Sequence, residues 1–132
     1  MDEWIDYIQE GRQFLKTARN GQKRKTVFTN EIVYNLIGLS LEKMMVGLCM
    51  SYGHMPADHT LTGIVSELNE LCPMEASLAE EIRAMDRIQD LCALDMKTFC
   101  SVSDGQITQM LSLTERVAEF VNQTIGSGKP VH

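Results

Sequence analysis

The stretch Asn35–Met55, NLIGLSLEKMMVGLCMSYGHM, decides how this chain folds. It is apolar almost all the way round, with Met44, Met45 and Met50 close together, yet Glu42 and Lys43 sit in its middle. Read as a helix from Thr29 or Asn30 to about Tyr52, it places Ile32, Val33, Leu36, Ile37, Leu39, Leu41, Met44, Met45, Leu48 and Cys49 on more than one face. A helix that is apolar over most of its circumference must be covered on several sides. Gly38, Ser40, Gly47 and Ser51 would let neighbouring backbones come close, which offsets the helix propensity that glycine gives up. The stretch therefore reads as the central helix of a bundle, and as a candidate half of a dimer interface. Its methionines read as core filling, because no histidine or cysteine pairs with them at ligand spacing. Glu31, Asn35 and Glu42 share one narrow line, the side of this helix expected to face water or a partner. Lys43 lies about 100° further round. Its long stem is expected to lay the ammonium near Glu42 or an acid of the fourth helix.

Outward from this helix, nearly every segment repeats at the helical period, and none alternates as a strand would. A first helix is expected from about Asp2 to Ala18, with Asp2, Glu3 and Asp6 at its start and Lys16 and Arg19 at its end, followed by a loop RNGQKRK. Gly53 is placed to stop the central helix, and Pro56 cannot continue it. A short helix should follow from about Thr60 to Leu71. Ser77 and Glu80 have capping-box spacing for a fourth helix, with Leu78, Ile82, Met85, Ile88, Leu91 and Cys92 inward. Ser103 and Gln106 have the same spacing for a last helix, striped by Ile107, Met110, Leu111, Thr114, Val117, Ala118, Val121 and Ile125. The expected architecture is all-α: an up-and-down four-helix bundle with an additional short helix in a connection. One domain should span residues 1–125, and 126–132 should form a flexible tail.

Charge is unevenly distributed. The net charge is −6, but residues 11–30 contain Arg12, Lys16, Arg19, Lys23, Arg24 and Lys25 and no acid, whereas residues 58–95 contain nine acids against Arg83 and Arg87. The acidic whole argues against general nucleic-acid binding; the basic segment leaves room for a local phosphate contact. Cys49, Cys72, Cys92 and Cys100 form no C-x-x-C pair and read as reduced structural thiols. Glu80, Glu81, Asp86 and Asp90 read as a solvated acidic face. His54 and His59 lack companions for a tetrahedral metal set. No metal or cofactor is expected. An acidic N-terminus and the lack of a long uncharged apolar run point to a cytoplasmic chain with no membrane span.

The segment Leu39 to Leu71, LSLEKMMVGLCMSYGHMPADHTLTGIVSELNEL, resembles the HEPN domain, the nucleotide-binding domain of higher eukaryotes and prokaryotes. That family commonly shows Gln-x-x-Ala-Glu-Lys-x-x-Lys, then Gly, Pro and His-x-Leu. Glu42 and Lys43 match the Glu-Lys step, and Gly53, Pro56, His59 and Leu61 match the turn and the next helix start. Ser40 and Leu41 replace the family's alanines, and its second lysine falls on Val46. The resemblance implies a helical bundle, often a homodimer. It implies either a ribonuclease of toxin–antitoxin and defence systems or a non-catalytic partner of a small nucleotidyltransferase. The ribonucleases carry Arg, four to six residues, then His. No arginine here is followed by histidine at that spacing: from Arg83 it reaches Ile88, Gln89 and Asp90, and from Arg87 it reaches Cys92, Ala93 and Leu94. The expectation is thus a non-enzymatic module that binds nucleotide, RNA or a nucleotidyltransferase-type protein. Arg12, Lys16, Lys23, Arg24 and Lys25 are candidates for phosphate, and Glu42, Lys43 and His59 for the family's functional side. Two alternatives are a degenerate ribonuclease built on Arg83 or Arg87 with carboxylates, and a dimeric scaffold in a regulatory complex.

Overall fold

The computed structural model describes residues 3–24, 26–94 and 102–126, and over 89–94 the backbone alone. The described chain is all-helical. Helix α1 spans Glu3–Gln22, α2 Asn30–Ser51, α3 Leu61–Leu71, α4 Ala76–Leu94 and α5 Asp104–Gly126.

Helix α2 is the hub: α1, α3 and α5 all pack on it. Ile37, Leu41, Met44, Met45, Leu48 and Cys49 are fully buried along it. By length and composition alone α2 could cross a bilayer, contrary to the expectation, but 61% of that apolar window is buried inside the protein. Burial pushes the Cys49 thiol up to about 12, which keeps it protonated and inert at neutral pH. Cys72 is half-buried. The remaining two thiols, Cys92 and Cys100, lie outside the described residues, as do the side chains of Asp90 and Leu91 and the tail 127–132.

The α1–α2 contact explains two of the small residues of α2, Ser40 and Gly47. Ser40 donates its hydroxyl to the Gly11 carbonyl at 2.6 Å. A Cβ on Gly11 would stand 3.0 Å from the Ser40 carbonyl oxygen, and one on Gly47 would stand 3.0 Å from the Trp4 carbonyl oxygen. The two backbones pass at a distance only glycine permits. Gly38, on the opposite side, has nothing within 4 Å of where a Cβ would be.

Helix α1 runs one turn beyond its expected end at Ala18. Ala18 and Gly21 are both buried, and Phe28 folds back over Gly21, where a Cβ would meet Phe28 Cδ2 at 2.7 Å. Arg19 bonds Glu115 at 2.8 Å and Gln22 bonds Thr108 at 3.0 Å, so the extra turn is held to α5. The local sequence NGQ favours a break; tertiary packing overrides it.

The ends of α2 follow the sequence closely. Thr29 accepts the Ile32 N–H at 3.2 Å as N-cap. At the other end Gly53 has φ +79°, its N–H bonds the Met50 carbonyl at 2.8 Å, and the His54 N–H bonds the Cys49 carbonyl at 3.1 Å. This is the Schellman arrangement that a left-handed glycine allows.

Thr60 caps α3 by accepting the Gly63 N–H at 3.0 Å. Rather than being a bare connection, α3 packs on both α2 and α4 and adds Leu61, Ile64, Val65 and Leu68 to the core. Helix α4 begins at Ala76, which puts Ser77 inside the first turn; its hydroxyl bonds the Glu75 carboxylate instead of a backbone N–H, and Glu80 pairs with Arg83 and Arg87. The expected Ser77–Glu80 capping box does not form. The Ser103–Gln106 box does: the Gln106 N–H bonds Ser103 Oγ at 3.1 Å and the Ser103 N–H bonds Gln106 Oε1 at 2.9 Å. Helix α5 buries Ile107, Met110, Leu111, Thr114, Val117 and Val121 as the stripe anticipates, and Leu113 besides. Tyr34 ties α2 to α4 through its hydroxyl, which donates to the Met85 carbonyl at 3.1 Å.

The glycines of α2 should therefore respond oppositely to one methyl group. Gly38→Ala should stabilise by about 0.5–1 kcal/mol through helix propensity. Gly47→Ala and Gly11→Ala should each cost roughly 1–3 kcal/mol by overpacking. Urea unfolding midpoints check this; equal shifts for Gly38 and Gly47 would contradict the packing described.

Candidate functional site

The side of α2 bearing Asn35, Gly38, Leu39 and Glu42 opens on a cleft of about 890 Å³. Its other walls are the α2–α3 connection with Asp58, His59 and Thr60, the start of α3 with Leu61 and Thr62, and Met85 and Asp86 of α4. The line of polar residues read from the sequence thus borders the cleft at Asn35 and Glu42, while Glu31 is exposed nearer the helix start. Leu39, 42% exposed, lies on the cleft floor beside the open space at Gly38.

Two histidine–glutamate pairs hold the α2–α3 connection. His59 Nδ1 lies 3.2 Å from Glu42 Oε2 on α2. His54 Nε2 lies 2.6 Å from Glu67 Oε1 on α3. Glu67 also accepts the N–H groups of Ala57 at 3.1 Å and Asp58 at 3.4 Å. The hydrogen bond from His54, aided by these backbone donors, holds the Glu67 carboxyl below its usual range. Asp58 accepts the Thr60 N–H at 2.9 Å, and the Thr60 backbone and hydroxyl lower its pKa too. Asp86 reaches across from α4 to accept the Thr62 N–H at 2.5 Å, at the N-terminal turn of α3. Here a carboxylate is favoured by the unpaired N–H groups and the helix dipole.

Electrostatically the cleft is acidic. Glu42, Asp58 and Asp86 line it, and neither lysine nor arginine does among the described residues. Such a surface suits N–H donors and cations and repels phosphate. Among the described residues no three metal-ligating side chains converge; Glu81, from the acidic face of α4, instead pairs with Arg116 of α5 at 2.9 Å.

Of the residues singled out in the sequence, Glu42 and His59 come together at the cleft. Lys43 does not join them, nor does it pair with an acid of α4 among the described residues. Its Nζ lies 2.9 Å from Glu10 Oε1 and 4.5 Å from the Tyr7 ring centroid, both on α1. The Glu10 carboxylate holds this ammonium above the usual lysine value. The difference is the 100° step between neighbours on a helix: with Glu42 at the cleft, Lys43 is turned to α1.

The basic candidates divide as well. Arg12 donates to the Asn122 side chain of α5, and Arg19 pairs with Glu115 at 2.6 Å. Lys16, Lys23 and Arg24 are exposed, and Lys25 lies outside the described residues. Arg83 and Arg87, the arginines of the degenerate-ribonuclease alternative, both approach Glu80, at 3.3 and 3.9 Å. Asp86, read as part of a solvated acidic face, and Leu39, read among the apolar faces of the central helix, both line the cleft, while Tyr34 belongs to it without a sequence signal marking it. Asp58 had one: Asp-x-Thr just before an apolar helical run is the pattern of a residue that bonds its own backbone ahead of a cap.

Family models, curated proteins and solved structures were all compared with the chain, and none matches it.

The Glu67 bond network predicts a pH response of definite sign. The folded-state pKa lies below the unfolded value, so its contribution is present above the ordinary glutamate pKa of about 4.3 and is lost as pH falls through the lowered folded value. His54→Ala should move the Glu67 titration, followed by carboxyl NMR, up toward that ordinary value. An unmoved titration would assign the shift to the Ala57 and Asp58 N–H groups alone.

Proposed function

We propose that this chain is a non-catalytic, HEPN-like binding module, with its helices in an up-and-down four-helix bundle plus the short α3, and that it docks a protein partner in the acidic cleft. The observation that carries this reading is the union of Glu42 and His59, both in the motif that resembles the family, on one wall of a large cleft along the open side of α2. The charge of the cleft favours a protein bearing N–H donors and cationic groups over a nucleotide. The resemblance supplies the kind of partner: a nucleotidyltransferase-type protein in a toxin–antitoxin or defence-like system. Phosphate of RNA or a nucleotide is better suited to the exposed Lys16, Lys23 and Arg24 at the far end of α1. The ribonuclease alternative is disfavoured because both histidines outside the tail pair with glutamates and Arg83 and Arg87 with Glu80.

Labelled RNA incubated with the protein, with and without Mg²⁺, should remain intact at high protein concentration; cleavage would replace the module with an enzyme. Gly38→Arg fills the cleft from a position with open space around it. It should leave the circular dichroism spectrum unchanged and weaken binding to an adjacently encoded nucleotidyltransferase-type protein by at least about tenfold, or 1.4 kcal/mol. Unchanged affinity would remove the cleft as the docking site.

A further inference from the structure

The chain carries an element complementary to its own cleft. In the turn between α1 and α2 the N–H groups of Val27 and Phe28 both bond the Arg24 carbonyl, at 3.0 and 2.9 Å. Phe28 anchors this turn on Gly21. Val27 is left 61% exposed, three residues after Arg24, which like Lys23 is exposed. The exposed Val27 thus lies close in the chain to the exposed cations Lys23 and Arg24, in the acid-free part of the sequence. The cleft is the converse: the exposed Leu39 and the space over Gly38 form an apolar floor, and Glu42, Asp58 and Asp86 stand around it.

We propose that the α1–α2 turn of one copy seats in the acidic cleft of another, joining copies head to tail. This rests on the cleft being a docking site and names a second copy of the chain as an occupant. The two patches are different surfaces, so the contact is heterologous. Each added copy still offers one free turn and one free cleft, and assembly continues until it closes as a ring or stays open. Opposite charges steer the approach and set the register, while burial of Val27 against Leu39 supplies the apolar part. A single turn buries far less surface than the roughly 1,200–2,000 Å² of stable complexes. The association is therefore weak, concentration-dependent and salt-sensitive, since the Debye length shrinks from about 10 Å at 0.1 M to about 3 Å at 1 M salt.

Sedimentation velocity over a concentration series tests this with two variants whose lesions lie on opposite partners. Lys23→Glu/Arg24→Glu removes the turn but keeps the cleft; Gly38→Arg blocks the cleft but keeps the turn. Wild type should gain mass with concentration at low salt and lose it at 1 M salt. Each variant alone should be monomeric, with self-association weakened at least about tenfold. Mixed, the two should form a 1:1 heterodimer that grows no further, because only one functional turn and one functional cleft remain. Val27→Asp and Leu39→Lys repeat the pair without relying on either lesion. A wild type that stays monomeric throughout overturns the proposal, as does a dimer that survives Lys23→Glu/Arg24→Glu or a mixture that fails to associate. The binding of a nucleotidyltransferase-type protein by the same cleft is read separately, from Gly38→Arg against that protein, and can succeed where self-docking fails.

Discussion

Helix α1 lies against α2 so closely that a methyl group at Gly11 or Gly47 would meet backbone atoms of the other helix at 3.0 Å. The Ser40 hydroxyl, buried in the same contact, bonds the Gly11 carbonyl and fixes the axial register. Everything else follows from that pairing. With one face of α2 closed by α1, its remaining apolar faces need cover from α3 and α5, and both pack there. Ser40, buried among apolar side chains, is tolerable because its hydroxyl finds an acceptor.

What is left of α2 after three neighbours is the side with Asn35, Gly38 and Leu39, and that remainder is the cleft. Its position is a by-product of packing, but its chemistry is not. Asp58, Glu67 and Asp86 each meet backbone N–H groups around the start of α3. Two of these carboxylates, Asp58 and Asp86, also line the cleft and with Glu42 give it its negative character. Structure and charge thus come from one set of residues, and a substitution there changes both. Gly38 is the exception, since it lines the cleft without supporting it.

The parts of this architecture that were legible in the sequence are those encoded within a few residues. Helix period, the Thr29 cap, the left-handed Gly53 and the Ser103–Gln106 box all involve partners less than six positions apart, and all appear. The Ser77–Glu80 pattern had the same spacing and failed, because Glu75 and the arginines at 83 and 87 compete for those side chains. The end of α1 was hidden because Gly21 is held helical by Phe28, a contact that closes only when the turn forms. Glu42 and His59 were picked out through a motif, and the fold brings them to 3.2 Å. Lys43 was assigned the wrong neighbour, and Asp86 was read as part of a solvated acidic face although it bonds the Thr62 N–H, because both depend on which helix packs beside which.

The methionines of the central helix have a further consequence, in oxidation chemistry. Met44 and Met45 are completely enclosed, Met85 and Met110 nearly so, whereas Met55 in the cleft-side connection is 52% exposed. Among the described methionines an oxidant in solution reaches Met55 most readily, where a sulfoxide sits on a surface loop. The same oxygen on Met44 or Met45 would place a polar group in a dry core, and it can be added only while the helices are apart. A sulfoxide at those sites disfavours closure around α2. Oxidation of the core methionines is thus coupled to opening of the bundle, while their softness suits the packing of three helices on an irregular hub.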